Sequence, residues 1–221
     1  MGRVSELEKL EQSLLPQNTG NKRSIAVLHV LGGIGKTQLA IQFARKHQNV
    51  FDSAFWLDGS TDRALKHSIA AIAKRLPDIH IRNNERGDSP TSGEELDNIV
   101  QQVLNWFSIA GNTKWLLIFD NVDRGHLQIP EDTHAYNIQK YFPDADHGAM
   151  LITTRLRRLG LLGTGIALDK ISQNDALNIL ERWVGHEIRS KHYLFRLSCK
   201  ECLKLSGGGR LRYLYVASTT R

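Results

Sequence analysis

Cysteine is scarce. Cys199 and Cys202 are the only two in 221 residues, which gives no basis for a disulfide framework and points to a reducing compartment. Their spacing with His186 and His192 matches no common zinc finger, and no second cysteine pair exists, so they read as helix-face residues of a reduced interior. No apolar run approaches the roughly 18 residues that a membrane span needs, so no membrane partner is expected. Met1-Gly2-Arg3-Val4-Ser5-Glu6 lacks the apolar core of a signal peptide, and Ser5 falls one position short of the myristoylation pattern. No internal repeat is evident. Neither sign of charge dominates: 29 Lys and Arg against 23 Asp and Glu leave +6, a modest surplus that suits a site for polyanions such as nucleotides and also admits weak nucleic-acid binding. What remains is an ordinary composition, 41% hydrophobic and 24% charged, in a chain long enough to bury a core without staples. A cytoplasmic domain, or a domain with part of a second, is expected.

The hydrophobic periods alternate. Ser5 to Leu15 is helical with Val4, Leu7, Leu10 and Leu14 on one stripe, and Pro16 to Lys22 reads as a loop. Ile25 to Leu31 is a continuous apolar run broken only by His29, the pattern of a strand buried on both faces. Helices are predicted over Lys36 to His47, Asp62 to Leu76 and Glu94 to Ile109, and strands over Ser53 to Leu57, Lys114 to Phe119, Met150 to Ile152 and Ile166 to Leu168. Pro77 to Gly93 and Gly125 to Asp146 read as loops, the second with one helical turn. Ser172-Gln173-Asn174-Asp175 starts a capped helix. Alternating strands and helices imply an α/β fold with a mostly parallel, five-stranded sheet over residues 1–169, and a partial helical subdomain over 170–221.

Three stretches carry chemistry. Gly32-Gly33-Ile34-Gly35-Lys36-Thr37-Gln38 follows a strand and opens a helix, the context of a phosphate-binding loop. In such a loop bare N–H groups wrap phosphate oxygens, Lys36 reaches the outer phosphates, and the Thr37 hydroxyl binds Mg²⁺. Trp115-Leu116-Leu117-Ile118-Phe119-Asp120 supplies the second half, a carboxylate for Mg²⁺ at the end of a neighbouring buried strand. The general base is missing from the next position, because Asn121 cannot take a proton; Asp123 is a substitute placed by sequence alone, so slow or negligible hydrolysis is expected. Thr153-Thr154-Arg155 ends another strand and offers an arginine to a γ-phosphate, which would distinguish triphosphate from diphosphate.

The order of these stretches, with Gly2-Arg3 before Ser5-Glu6-Leu7-Glu8-Lys9-Leu10 and Phe55-Trp56-Leu57 between loop and acid, resembles the NB-ARC domain of STAND-class signalling P-loop NTPases. The flavour is that of fungal NOD-like receptors, and the resemblance covers about residues 2–184. It implies a switch closed with ADP and assembling into homo-oligomers with ATP, signalling-protein partners, Arg3 helping to seat the adenine and ribose, and Arg155 as the γ-phosphate sensor. Family members usually carry an effector before this module and repeats after it, and neither is expected here. The chain departs from the pattern at Val30, where the family's first loop glycine falls, at Asn121, at Gly207-Gly208-Gly209-Arg210, where a proline is replaced, and in stopping before a winged-helix portion.

An adenine-nucleotide switch is therefore expected, with ADP or ATP and Mg²⁺ as cofactors. The rival is a degenerate interaction domain that keeps the fold without the nucleotide. It rests on Val30: if the loop needs positive φ there, a β-branched residue is strained by roughly 1–3 kcal/mol. An ATPase acting on nucleic acid is disfavoured, since no base and no basic groove are visible.

Overall fold

The computed structural model describes residues 3–20, 22–30, 35–76, 93–124 and 135–168, and a strand at 214–216. The N-terminal helix α1 (Val4–Leu14) runs into a single helical turn, α2 (Pro16–Thr19), where a loop was expected; Pro16 at its first position and Gly20 in the left-handed region after it bracket the turn. Then follow β1 (Ser24–His29), α3 (Lys36–Lys46), β2 (Ser53–Asp58), α4 (Asp62–Ala73), α5 (Gly93–Phe107), β3 (Trp115–Asp120), β4 (Ala149–Thr154) and β5 (Thr164–Ala167). Two 3-10 turns, Ile138–Tyr141 and Arg157–Leu162, flank β4.

The strands are parallel throughout, in the order β5-β1-β4-β3-β2, and β6 (Leu214–Val216) pairs with the outer edge of β2. The five parallel strands expected are thus all present, and β6 adds a sixth at the edge. The tail reads as helical in sequence, but Leu-Tyr-Val favours an extended backbone and β2 otherwise presents an open edge. The capped helix expected from Ser172, the two cysteines and the rest of the 170–221 subdomain lie outside the described residues.

The apolar strands alternate between two cores. Phe55, Leu57, Leu117, Phe119, Met150 and Ile152 face α4 and α5, whereas Ala26, Leu28, Trp56, Leu116, Ile118 and Leu151 face α1 and α3. This is why β1, β3 and β4 read as unbroken hydrophobic runs: with helices on both faces, each strand needs apolar residues at every position. Leu7, Leu10 and Leu14 of α1 are buried as the stripe predicts, but Val4 is 57% exposed, so the stripe begins one turn later. Among the described residues no helix is long and apolar enough to cross a membrane.

The strand order decides where the chemistry lies. β4 sits between β1 and β3, in register with both. The acid expected on the strand next to β1 is instead two strands away, and β4 supplies the residues between. All three strands end at the same edge of the sheet, the edge at which open α/β sheets bind ligands.

Candidate functional site

Helix α3 starts at Lys36, and Gly35 caps it with φ of 90°. In that left-handed region a side chain is strained, so glycine is the residue the turn requires. Lys36 Nζ donates to the carbonyl oxygen of Val30 at 2.9 Å, so the lysine reaches back across the loop and ties its two ends. Gly32, Gly33 and Ile34 lie outside the described residues. Gln38 is exposed in the first turn of α3.

Val30 behaves differently from the expectation that gave the rival reading its force. Among the described residues the only non-glycines at positive φ are Arg3 and Asn121. Val30 is not one of them; its N–H continues the β1 pattern by donating to the Thr154 carbonyl at 3.3 Å. Outside the left-handed region a β-branched residue carries no such penalty. The substitution of a glycine by Val30 therefore stores no backbone strain at that position.

Asp120 ends β3 and gathers hydroxyls. Thr37 Oγ1 donates to Oδ1 at 3.0 Å and lies 3.3 Å from Oδ2, and Thr153 Oγ1 donates to Oδ1 at 2.5 Å. The Asn121 N–H in turn donates to Thr153 Oγ1 at 2.9 Å. Burial pushes the Asp120 carboxyl above the usual carboxylate range and the charge of Asp58 adds to this, while the bonds from Thr153, Thr37 and the Asn121 backbone oppose it. Asp58 is the β2 residue in register with Asp120, so the two carboxylates leave neighbouring strands on the same face.

Asn121 turns the chain sharply at φ 63°, a conformation that asparagine tolerates better than most side chains. The turn is fastened to β4: Val122 N–H donates to the Thr153 carbonyl at 2.9 Å, and Thr154 Oγ1 donates to the Val122 carbonyl at 2.6 Å. It carries Asp123 to Arg155. Arg155 Nε lies 2.9 Å from Asp123 Oδ2, and the Arg155 N–H donates to Oδ1 at 2.7 Å.

Lys36, Thr37, Asp120, Asp123 and Arg155 are thus brought to one edge. Lys36 records this: burial lowers its ammonium below the usual lysine range, Asp123 and Asp120 oppose the shift, and Arg155 adds to it. Arg3 lies at the N-cap of α1 with φ of 94° and pairs with Glu6 at 3.1 Å. Arg157 and Arg158, set aside as solvated, are exposed.

Thr153 and Thr154 are the site residues that sequence reasoning passed over in favour of the arginine behind them. Both are fully buried at the end of an apolar strand, and two hydroxyls in such a place need partners. That demand was the available signal. The Thr37 hydroxyl and the Asp120 carboxylate suit Mg²⁺, a hard cation that takes one or two protein oxygens and completes its shell with phosphate and water. No group of three or more His, Cys, Asp or Glu capable of holding a metal occurs among the described residues, and Mg²⁺ of this kind needs none.

The NB-ARC domain family model matches residues 3–189. A nucleotide-binding leucine-rich repeat (NLR)-like protein of Hyaloscypha variabilis is 21% identical over 82% of this chain and 18% of its own length. The regulatory protein AfsR of Streptomyces coelicolor is 24% identical over 76% of this chain and 15% of its own. The chain thus spans less than a fifth of either relative. The crystal structure of Cdc6p from Pyrobaculum aerophilum superposes with a TM-score of 0.53 at 14% identity, covering 81% of this chain and 48% of that one, a likeness of fold.

Proposed function

The chain belongs to the NB-ARC domain family, and from that premise we propose that it is an ADP/ATP-binding switch module of a signalling P-loop NTPase, with slow or no hydrolysis. The observation that carries the reading is the bond between Thr37 and Asp120, at 3.0 Å across 83 residues of sequence. It joins the first turn of α3 to the end of β3 at an exposed edge, where a hydroxyl and a carboxylate together suit Mg²⁺ and Lys36 stands one residue away. When bound, Mg²⁺ supplies charge neutralisation between phosphate oxygens. Gly35 to Gln38 and the N-terminus of α3 favour the phosphates themselves, with Gly32 to Ile34 completing the loop. Arg3, whose left-handed backbone costs a residue with a Cβ roughly 1–2 kcal/mol, is held in a special conformation that suits a role in seating the base.

Weak turnover follows from the residues after Asp120. Asn121 offers an amide, which cannot act as a base, and both oxygens of Asp123 face Arg155. A signalling role, assembly in the ATP state and a cytoplasmic setting rest on the family and on the names of the two relatives, one NLR-like and one regulatory. Isothermal titration of the folded chain with Mg²⁺-ADP and Mg²⁺-ATP tests the proposal. Heat with an adenine nucleotide is expected, and its absence with both overturns it. A ligand at 100 times its dissociation constant stabilises a fold by roughly 2.7 kcal/mol, so a thermal shift provides a second readout.

A further inference from the structure

One carboxylate holds Arg155 twice. Asp123 takes the arginine's backbone N–H on Oδ1 at 2.7 Å and its Nε on Oδ2 at 2.9 Å, across the ends of β3 and β4. The two partners are not equally fixed. The Arg155 side chain is 60% exposed and that of Asp123 is 22% exposed, so the guanidinium is the member with room to change partner. The pair also lies within electrostatic reach of Lys36 at the start of α3, whose ammonium Asp123 favours and Arg155 disfavours. A carboxylate and a terminal phosphate present the same chemistry to a guanidinium, anionic oxygens that accept charge-assisted bonds.

We propose that Asp123 is a specificity-determining residue, which occupies Arg155 in place of a terminal phosphate and so biases the site toward nucleoside diphosphate. The inference rests on the nucleotide-binding reading above. A diphosphate leaves the pair intact. A triphosphate brings a γ-phosphate that competes for the same guanidinium. The backbone bond from Arg155 does not depend on the side chain, so only half of the clasp is exchanged and the end of β4 keeps its place.

The test is isothermal titration of the full chain with Mg²⁺-ADP and with a non-hydrolysable Mg²⁺-ATP analogue, on the wild type, Asp123→Asn, Arg155→Ala and the double variant. Asp123→Asn retains an acceptor for the Arg155 N–H, so the loop after β3 is preserved while the charge is removed. The expected result is that Asp123→Asn binds the triphosphate analogue roughly fivefold more tightly, the equivalent of an exposed ion pair worth about 1 kcal/mol, with ADP affinity changed by less than about twofold. In the Arg155→Ala background the same substitution loses its preference for the triphosphate. An unchanged ratio of the two affinities, or a triphosphate affinity weakened by Asp123→Asn as much as by Arg155→Ala, overturns the inference while leaving nucleotide binding intact. No binding of either ligand by the folded wild type overturns both.

Discussion

Asp58 and Asp120 are cross-strand partners at the ends of β2 and β3. Like charges in such a pair are unfavourable, and Asp120 is mostly buried as well, so its carboxylate form is held at a cost. In the function proposed above, the ionised form is the one that receives Mg²⁺ together with Thr37.

Neutralising the acid separates stability from binding. Asp120→Asn keeps an oxygen for the Thr37 and Thr153 hydroxyls but removes the buried charge. The unliganded variant is expected to melt at the wild-type temperature or above it. Its Mg²⁺-dependent affinity for adenine nucleotide falls at least about tenfold, the loss that removal of a metal-site partner produces. Calorimetry with and without Mg²⁺ measures both; a variant that melts well below the wild type speaks against a costly buried charge at this position.

The raised carboxyl also sets a pH dependence. Because the folded pKa of Asp120 lies above its unfolded value, the stability this group contributes to the unliganded fold is fully present below the ordinary carboxylate range and is lost as pH rises through the Asp120 pKa. Mg²⁺ binding runs the other way, since it needs the ionised form, and falls as the pH is lowered toward the same pKa. Asp58→Asn removes the like charge, so the midpoint of the Mg²⁺-dependent step moves to lower pH. Nucleotide titrations across a pH series, in both proteins, follow the midpoint; an unchanged midpoint would show that Asp58 and Asp120 do not interact.

Lys36, Thr37 and Asp120 were legible in the sequence because each marks a break in hydrophobic period, where a strand ends or a helix begins. The α/β class followed from the same alternation. Strand order was not legible: nothing in residues 24–29 or 115–120 says that β4 lies between them, and so Thr153 looked like a strand end rather than a donor to Asp120. Asn121 looked only like a lost acid. Its left-handed backbone, set by where Val122 must bond to β4, gives a physical reason for an asparagine there. Val30 looked strained because the family has glycine at its place, but φ is a property of the folded loop and not of the residue type.

Gly59 is the close approach that keeps β2 against the end of β3. Its N–H donates to the Asp120 carbonyl at 2.8 Å, and Tyr136 Oη donates to its carbonyl at 2.5 Å. A Cβ at this position would lie 2.5 Å from Val122 Cγ2 and 3.1 Å from the Asp120 carbonyl oxygen. Gly59→Ala therefore forces the turn after β3 outward. The expected destabilisation is about 1–3 kcal/mol, the range for overpacking a core, which for a domain of this size lowers Tm by roughly 2–12 °C. Gly111→Ala, with nothing within 4 Å of its Cβ position, is the control. Differential scanning calorimetry of the two variants decides, and equal melting temperatures would remove the close-approach argument.

Glu11 fastens the N-terminal helix to α3. Its Oε1 lies 2.6 Å from Lys46 Nζ and 3.0 Å from His47 Nε2. The bond from Lys46 holds the Glu11 carboxyl below its ordinary value of 4.5, with burial opposing and His47 adding to it. A lowered folded pKa contributes stability that is present above the unfolded value and is lost as pH falls through the folded one. Glu11→Gln is thus expected to destabilise the fold at neutral pH and to match the wild type once both are in strong acid. Lys46 is 52% exposed, so the difference at neutral pH is that of a surface pair, about 0.2–1 kcal/mol, and shrinks with added salt. Urea denaturation at a series of pH values measures it. A difference that persists unchanged into acid would mean that Glu11 acts through its packing on α1 rather than through its charge.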